Sequence, residues 1–173
     1  MKFIVLTNEE KQKYKNDILE IMQICDSDFV PPLSSRSSTT QSNLKSVGFD
    51  QNGILNYYTE MEKQDVLAAI DDDGALVGFV SYKRDYISEV VTKTPNIYLS
   101  TLMLHPASRG KRLTNRMYDY LFNKLYPDCS IFTRTWSTND AHIKILSNFG
   151  ISEFYRIKDD RGDGIDTIYF TKK

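Results

Sequence analysis

The chain has 173 residues, with 22 Lys and Arg against 23 Asp and Glu. This length suits one well-buried domain and is short for two, so we expect a single domain over residues 1–173. A composition of 40% hydrophobic and 26% charged residues excludes a disordered, collagenous or fibrous chain. The formal net charge of −1 excludes a basic surface that would hold the whole molecule on nucleic acid or on an anionic membrane.

The cysteine count and the first residues indicate the compartment. Cys25 and Cys129 are too few for a disulfide framework, and Met1–Leu6 lacks the apolar stretch of a signal peptide. No window approaches the roughly 18 apolar residues of a membrane-spanning helix. We therefore expect a cytoplasmic protein with no membrane and no nucleic-acid partner. His105 and His142 have no zinc-binding spacing and are interpreted as structural, so no metal is predicted.

The first half of the chain is predicted to form a strand, two helices and a β-hairpin. Thr7 and Glu10 have the spacing of a capping box, and apolar residues follow at helical spacing from Tyr14 to Cys25. The Asp-Gly pair at the end of Asp71–Gly74 is a strong hairpin signal, and its aspartates are interpreted as turn caps. The predicted elements are strand Phe3–Leu6, a helix ending near Asp26, helix Ile54–Lys63, and strands Val66–Ile70 and Ala75–Tyr82.

A long segment between the two helices has no periodicity. Asp28–Gly53 contains two adjacent prolines and many hydroxyl and amide side chains, which is typical of a surface loop. A loop of this length inside a compact domain is either a functional lid or disordered. The apolar residues Phe29, Val30, Leu33 and Phe49 favour a lid that docks on the body of the protein.

The second half alternates strands and helices. The strand before Pro106 is almost continuously apolar, which is typical of a central strand covered on both faces. Pro127 ends the next helix, and Gly150 supplies the left-handed position that ends the one after it. The predicted elements are strand Ile97–Leu104, a helix from Leu113 to Leu125, strand Ser130–Trp136, helix Asn139–Asn148, and strands Glu153–Lys158 and Ile165–Thr171.

The bend between the central strand and the next helix predicts an anion site. After Pro106 the chain passes through Gly110 and opens a helix among the cations Arg109, Lys111, Arg112 and Arg116. The first N–H groups of a helix lack internal partners and lie at the positive end of its dipole, so a diphosphate can accept hydrogen bonds from them. Cations at that position are unfavourable by about 0.3–1 kcal/mol each unless an anion is bound.

Two motifs resemble those of the GNAT family of acetyl-coenzyme-A-dependent N-acetyltransferases. Leu104-His105-Pro106 resembles the strand end of that family, and Ala107–Arg112 resembles its Q/R-x-x-G-x-G/A turn. Ala107 replaces the usual Gln or Arg, and Arg112 replaces the usual small residue. Asn139 followed by Gly150-Ile151 resembles the second signature, and the order of elements matches over nearly the whole chain.

The resemblance implies an α/β (α+β) fold with a mixed, mainly antiparallel central sheet flanked by helices. In that fold a splayed V opening separates strands Ile97–Leu104 and Ser130–Trp136, and the pantetheine arm of acetyl-CoA lies in it. The Asn opening the later helix contacts the arm from the other side. The implied cofactor-binding residues are Leu102, Met103, Leu104, Arg109, Gly110, Lys111, Arg112, Leu113, Thr114 and Asn139.

The implied activity is transfer of an acetyl group to a primary amine by direct attack in a ternary complex. Leu146 stands where many family members have a Tyr that protonates the departing thiolate, and Ser147 is one possible substitute. Asp28, Glu60 and Glu62 are conceivable bases, and no catalytic residue is assigned. The alternative is a non-catalytic acyl-CoA-binding or sensing module.

The acceptor stays open at this level. A polyamine, an aminoglycoside-like drug, an amino acid and a protein N-terminus are all compatible with the resemblance, so the partner is a small-molecule or peptide amine. Asp28–Gly53 is the segment where we expect that choice to be made. Trp136, at the end of the strand beside the opening, could wall the acceptor pocket. The resemblance is also compatible with a homodimer.

Overall fold

A seven-stranded sheet with helices on both faces forms the body of the protein. The computed structural model describes residues 1–46, 48 and 50–172. The strands are β1 Lys2–Val5, β2 Asp65–Ile70, β3 Leu76–Arg84, β4 Asn96–Leu104, β5 Ser130–Trp136, β6 Ser152–Ile157 and β7 Thr167–Lys172. The helices are α1 Asn8–Lys13, α2 Lys15–Cys25, α3 Gly53–Met61, α4 Leu113–Asp119 and α5 Asp140–Asn148.

The sheet is mixed and mainly antiparallel, as the resemblance implies. Its strand order is β1-β2-β3-β4-β5-β7-β6. Every neighbouring pair is antiparallel except β4 and β5, which are parallel. The parallel pair lies at the centre of the sheet and is joined by α4, which crosses from the end of β4 to the start of β5. The predicted fold class is confirmed.

Alternate residues of the strands build two separate cores. Val66 and Ala68 of β2 face a core with α2 and α3, whereas Leu67 and Ala69 face a core with α4 and α5. Leu146 of α5 is fully buried in the second core. The two helical layers therefore cover opposite faces of the sheet.

Helix boundaries differ from the sequence expectation at two places. The capping box at Thr7 and Glu10 forms as predicted, but the helix does not run unbroken to Asp26. It breaks at Tyr14, whose side chain is buried while its backbone leaves the helical region at φ −95°, ψ 10°. Later, α4 widens into a π-helical segment, Tyr120–Leu125, before Pro127.

The hairpin between β2 and β3 confirms the interpretation of its acidic turn. Oδ1 of Asp71 accepts hydrogen bonds from the backbone N–H groups of Asp73 and Ala75, at 3.0 and 2.9 Å. These bonds satisfy turn amides that have no partner in the strands. Asp71 therefore closes the turn, whereas the carboxylate of Asp72 pairs with the N-terminal ammonium group.

The segment between α2 and α3 docks on the body of the protein. Its residues Leu33 and Leu44 are fully buried, and each begins a short 3₁₀ turn. Asp26 holds the first turn, since its carboxylate accepts hydrogen bonds from the backbone N–H and the hydroxyl of Ser34. Phe49, which is predicted to help this docking, lies outside the described residues.

Candidate functional site

The central sheet opens between β4 and β5. The two strands pair only from Asn96 to Leu99 on β4 and from Ser130 to Thr133 on β5. Beyond these residues the strands no longer pair, and a cleft of about 570 Å³ lies between them. This is the splayed opening that the resemblance implies.

One edge of β4 faces this cleft with backbone groups that pair with no neighbouring strand. In antiparallel pairing, alternate residues direct both N–H and C=O toward the neighbouring strand. The N–H of His105 donates to the Val77 carbonyl at 2.9 Å, so Met103 likewise pairs with β3. Leu102 and Leu104, the residues on either side of Met103, therefore direct their backbone groups away from β3 and into the cleft.

The bend after Pro106 presents a run of N–H groups beside the same cleft. Gly110 has a φ of +75° and Arg112 a φ of 55°, so the chain turns twice through left-handed conformations before α4 begins. Within the described part of the chain, no backbone or side-chain acceptor meets the N–H groups of residues 110–115. Six consecutive unpaired donors at the start of a helix favour an anion.

The predicted cofactor-binding residues converge on this cleft with one exception. Lys111 is exposed and does not line it. Met103 contributes to its wall, although its backbone is used in the sheet. The other predicted residues that line the cleft are Leu102, Leu104, Arg109, Gly110, Arg112, Leu113, Thr114 and Asn139.

Asn139 has two contacts at the start of α5. Its Oδ1 accepts a hydrogen bond from the His142 N–H at 3.3 Å and so caps the helix. Its Nδ2 donates to the Thr135 hydroxyl on β5 at 2.9 Å. These two bonds fix α5 against the strand that borders the cleft.

Comparison with known protein families shows which family the chain belongs to. The model of the acetyltransferase (GNAT) family matches residues 21–151, which is more than half of the sequence. The chain belongs to the GNAT acetyltransferase family. No sequence among the curated proteins matches it.

Solved acetyltransferases share the fold of this GNAT protein. An aminoglycoside 6'-N-acetyltransferase from Enterococcus faecium has a TM-score of 0.66 at 13% identity, covering 99% of this chain and 96% of that chain. The ribosomal-protein-alanine N-acetyltransferase of Brucella melitensis has a TM-score of 0.64 at 15% identity, covering 99% of each chain. yncA of Salmonella typhimurium, solved with its cofactor acetyl-CoA, has a TM-score of 0.66 at 16% identity, covering 100% of this chain and 93% of that chain.

The described residues contain neither a cluster of metal ligands nor a membrane-spanning helix. No three His, Cys, Asp or Glu side chains among residues 1–46, 48 and 50–172 come together as a metal site. None of the helices in that part of the chain has the length and apolarity needed to cross a membrane.

Arg109 reaches across the mouth of the cleft. Its Nη2 donates to the carboxylate of Asp28 at 2.7 Å and to the Cys25 Sγ at 3.1 Å, and its Nε lies 3.4 Å from the Leu104 carbonyl. The bond to Asp28 raises the pKa of Arg109. Arg116 points elsewhere and lies over the ring of Phe3. The bend therefore keeps Arg109 and Arg112, but not Arg116, at the cleft.

Of the groups considered as acid or base, one lines the cleft and the others do not. Leu146 is buried in the core, and the next residue, Ser147, is exposed. Glu60 forms an ion pair with Lys63 away from the cleft. Of the three conceivable bases, Asp28 lines the cleft, where Arg109 binds it.

Sequence reasoning missed a hydrogen-bonded pair on the cleft wall. The Tyr118 hydroxyl lies 2.8 Å from Nε2 of His142, and both side chains line the cleft. Burial lowers the pKa of His142 to about 4, so its imidazole is neutral at pH 7. The two residues are 24 positions apart, so no local pattern joins them. Each lies one helical turn after a predicted site residue, Tyr118 after Thr114 and His142 after Asn139.

Neutral His142 makes the stability of the fold depend on pH. Its pKa is about 4 in the folded protein and about 6.5 when unfolded, so between these values the unfolded chain binds more protons. The free energy of unfolding should therefore fall as the pH falls from 6.5 to 4, by about 3 kcal/mol from this group. In His142→Gln the free energy of unfolding should fall less over this pH range, by the contribution of His142. Urea unfolding of both proteins at several pH values measures it, and parallel curves would contradict the assignment.

Proposed function

We propose that this protein transfers an acetyl group from acetyl-CoA to a primary amine, which attacks directly in a ternary complex. One observation carries the proposal. The free edge of β4 at Leu102 and Leu104 borders the same cleft as the unpaired N–H groups of residues 110–115. A ligand that joins an extended amide chain to a diphosphate satisfies both sets of groups, and membership in the GNAT family supports that ligand.

The residues of the cleft suit the parts of coenzyme A. The backbone groups of Leu102 and Leu104 would pair with the amides of the pantetheine arm, as an added strand pairs with a sheet edge. The N–H groups of the bend would hold the diphosphate, and Arg109 and Arg112 add positive charge. Asn139 would face the arm from α5.

The chemistry follows from the same positions. Acetyl-CoA supplies an activated acetyl group. The amine nitrogen would form a bond to the acetyl carbonyl carbon, and an N–H group of the β4 edge would stabilise the negative charge that develops on the carbonyl oxygen. The C–S bond would then break, and the coenzyme A thiolate would leave and take up a proton in place of the one that the amine loses. Because an amine with a pKa of about 10.4 is mostly protonated at neutral pH, the acceptor must lose a proton before it attacks.

A non-catalytic acyl-CoA-binding module is the second candidate. Leu146, in the position where the resemblance implies a proton-donating Tyr, is fully buried in the core and has no proton to donate. The carboxylate of Asp28 in the cleft is held by Arg109. These two observations favour binding without turnover.

Release of coenzyme A distinguishes the two functions. We expect acetyl-CoA with a panel of primary amines to release free coenzyme A thiol and to yield the acetylated amine, detected by mass spectrometry. Calorimetry with coenzyme A should show binding in the same preparation. Binding without release on every amine would overturn transfer and leave the binding module. Absence of binding would overturn both.

A further inference from the structure

Three arginines from distant parts of the chain lie together beside the cleft. Arg36 comes from the docked segment, Arg134 from β5 and Arg161 from the connection between β6 and β7. Arg36 and Arg161 are only 8% and 6% exposed, and Arg134 is half-buried. We call these three residues the arginine cluster. Guanidinium groups are seldom buried unless they are paired with an anion.

The cluster has hydrogen bonds but no ion pair. The three side chains donate to main-chain carbonyls of the docked segment, namely those of Pro31, Gln41 and Val30. No carboxylate in the described part of the chain lies within ion-pair distance of any of them. Nη1 of Arg36, Nε of Arg134 and Nη2 of Arg161 make no hydrogen bond to the described residues. Donors therefore remain for a ligand.

Two of the three arginines, Arg36 and Arg161, have lowered pKa values, which indicates too little negative charge around them. Burial, together with the charges of Arg36 and Arg134, lowers the pKa of Arg161 to about 9. Burial also lowers the pKa of Arg36 to about 10, and Arg134 adds to that effect. Asp160 and Asp26 oppose these shifts from a distance without forming ion pairs. Three positive charges thus face two carboxylates in a poorly hydrated region.

An aromatic wall connects the cluster with the cleft. Phe29 and Trp136 both line the cleft, and their ring centroids are 5.7 Å apart. The guanidinium of Arg36 lies over Phe29 at 5.6 Å, and that of Arg161 lies over Trp136 at 5.7 Å. Arg134 itself lines the cleft. The positive charge is therefore next to the space that a ligand enters.

Arg134 also lies where the two central strands separate. It directly follows Thr133, the last residue of β5 that pairs with β4, so it stands where the sheet begins to open. Strand alternation places Arg134 and Trp136 on the opposite face from Thr133 and Thr135. The bend and α5 lie on the Thr133 side, so Arg134 faces the side from which an acceptor approaches.

We propose that the acceptor amine carries a carboxylate, which binds at the arginine cluster. This inference rests on the proposed function, because it names the class of acceptor. The ligand is a primary amine with a nearby carboxylate, either a free amino acid or a peptide whose N-terminal segment is acidic. The carboxylate supplies the missing negative charge and accepts the free N–H groups. A polycationic acceptor would instead add to the repulsion within the cluster.

The single tryptophan provides a binding signal that needs no turnover. Trp136 is the only Trp of the chain and lies beside Arg161, so its emission should report a ligand at the cluster. In the presence of saturating coenzyme A, the full chain would be titrated with free L-amino acids, each paired with its α-amide. A second arm compares the C-terminally amidated peptides Ala-Glu-Ala and Ala-Lys-Ala. We expect the anionic member of at least one pair to bind at least about 10-fold more tightly.

Three variants test whether the cluster causes that preference. Arg134→Gln should reduce the preference to less than about 3-fold by weakening the anionic probe alone, with the neutral probe unchanged. Arg134→Lys keeps the charge and should retain part of the preference, which controls for the bond to Gln41. Lys2→Gln removes one positive charge from the opposite edge of the sheet and should change nothing. Thermal unfolding of each variant checks the fold.

The outcomes separate this inference from the proposed function. A preference seen in the amino-acid arm indicates a free amino acid, and one seen in the peptide arm indicates an acidic N-terminal segment. Equal binding within every pair, binding too weak to detect, or a preference for the cationic peptide would overturn the inference. Carboxylate binding without acetyl transfer would overturn the transferase and leave the carboxylate site. Acetyl transfer to amines without any preference for a carboxylate would overturn the carboxylate site and leave the transferase.

Discussion

Arg112→Asp is expected to weaken coenzyme A binding about 100-fold without unfolding the protein. Arg112 lines the cleft at the bend and caps α4 in a left-handed conformation, φ 55°. Aspartate tolerates that conformation and is favourable at a helix N-terminus, so the fold should keep its stability. The same carboxylate would repel a bound diphosphate. Replacing an attractive charge by a repulsive one beside the diphosphate is expected to cost about 2.7 kcal/mol, which corresponds to the 100-fold loss.

A charge reversal on the same helix serves as the control. Arg116 lies over the ring of Phe3 and does not line the cleft, so Arg116→Asp changes the net charge equally but not the bend. Calorimetry should give a change in the coenzyme A dissociation constant of less than about 3-fold for this variant. Equal losses for both variants would mean that only the overall charge matters, and unchanged binding for Arg112→Asp would remove the diphosphate from the bend.

Gly53→Ala is expected to destabilise the fold by at least about 3 kcal/mol. Gly53 begins α3 and is buried against the docked segment. A Cβ at this position would lie 1.6 Å from the Ser34 carbonyl oxygen and 2.4 Å from its carbon. Because both atoms belong to the backbone, no side-chain rotation relieves the clash. The segment must move away, and Arg36 moves with it.

Gly48 is the matched glycine in the same segment. A Cβ there would meet no atom of the described residues within 4 Å. Gly48→Ala should therefore leave stability unchanged or raise it by up to about 1 kcal/mol. Chemical denaturation of both variants measures the difference. A loss below about 1 kcal/mol for Gly53→Ala would show that the segment is not packed on α3.

Local patterns were sufficient to predict most of the fold. The apolar spacing of α2 and α3 and the Asp-Gly turn between β2 and β3 depend on neighbours within a few residues, and the structure contains all three. The break at Tyr14 was not predictable in this way. It arises because the Tyr14 side chain is buried against residues far along the chain, which periodicity within one helix does not record.

The two parts of the candidate site also differ in how far apart their residues lie along the chain. All the residues proposed to bind coenzyme A except Asn139 lie in one continuous segment, residues 102–115, so the bend around Gly110 could be interpreted from its own residues. The arginine cluster joins Arg36 with Arg134 and Arg161, which come about 100 residues or more later in the chain and meet Arg36 only through the sheet and the docked segment. The Tyr118–His142 pair likewise depends on the packing of two helices.

Amide hydrogen exchange is the most direct measurement of the central claim, which is that the free edge of β4 and the bend after Pro106 together hold coenzyme A. Exchange rates resolved by NMR would be compared with and without saturating coenzyme A. The N–H groups of Leu102, Leu104 and residues 110–115 should become at least about 10-fold slower, while Met103, already paired with β3, should change little. Bound coenzyme A with unchanged exchange at these amides would contradict the claim.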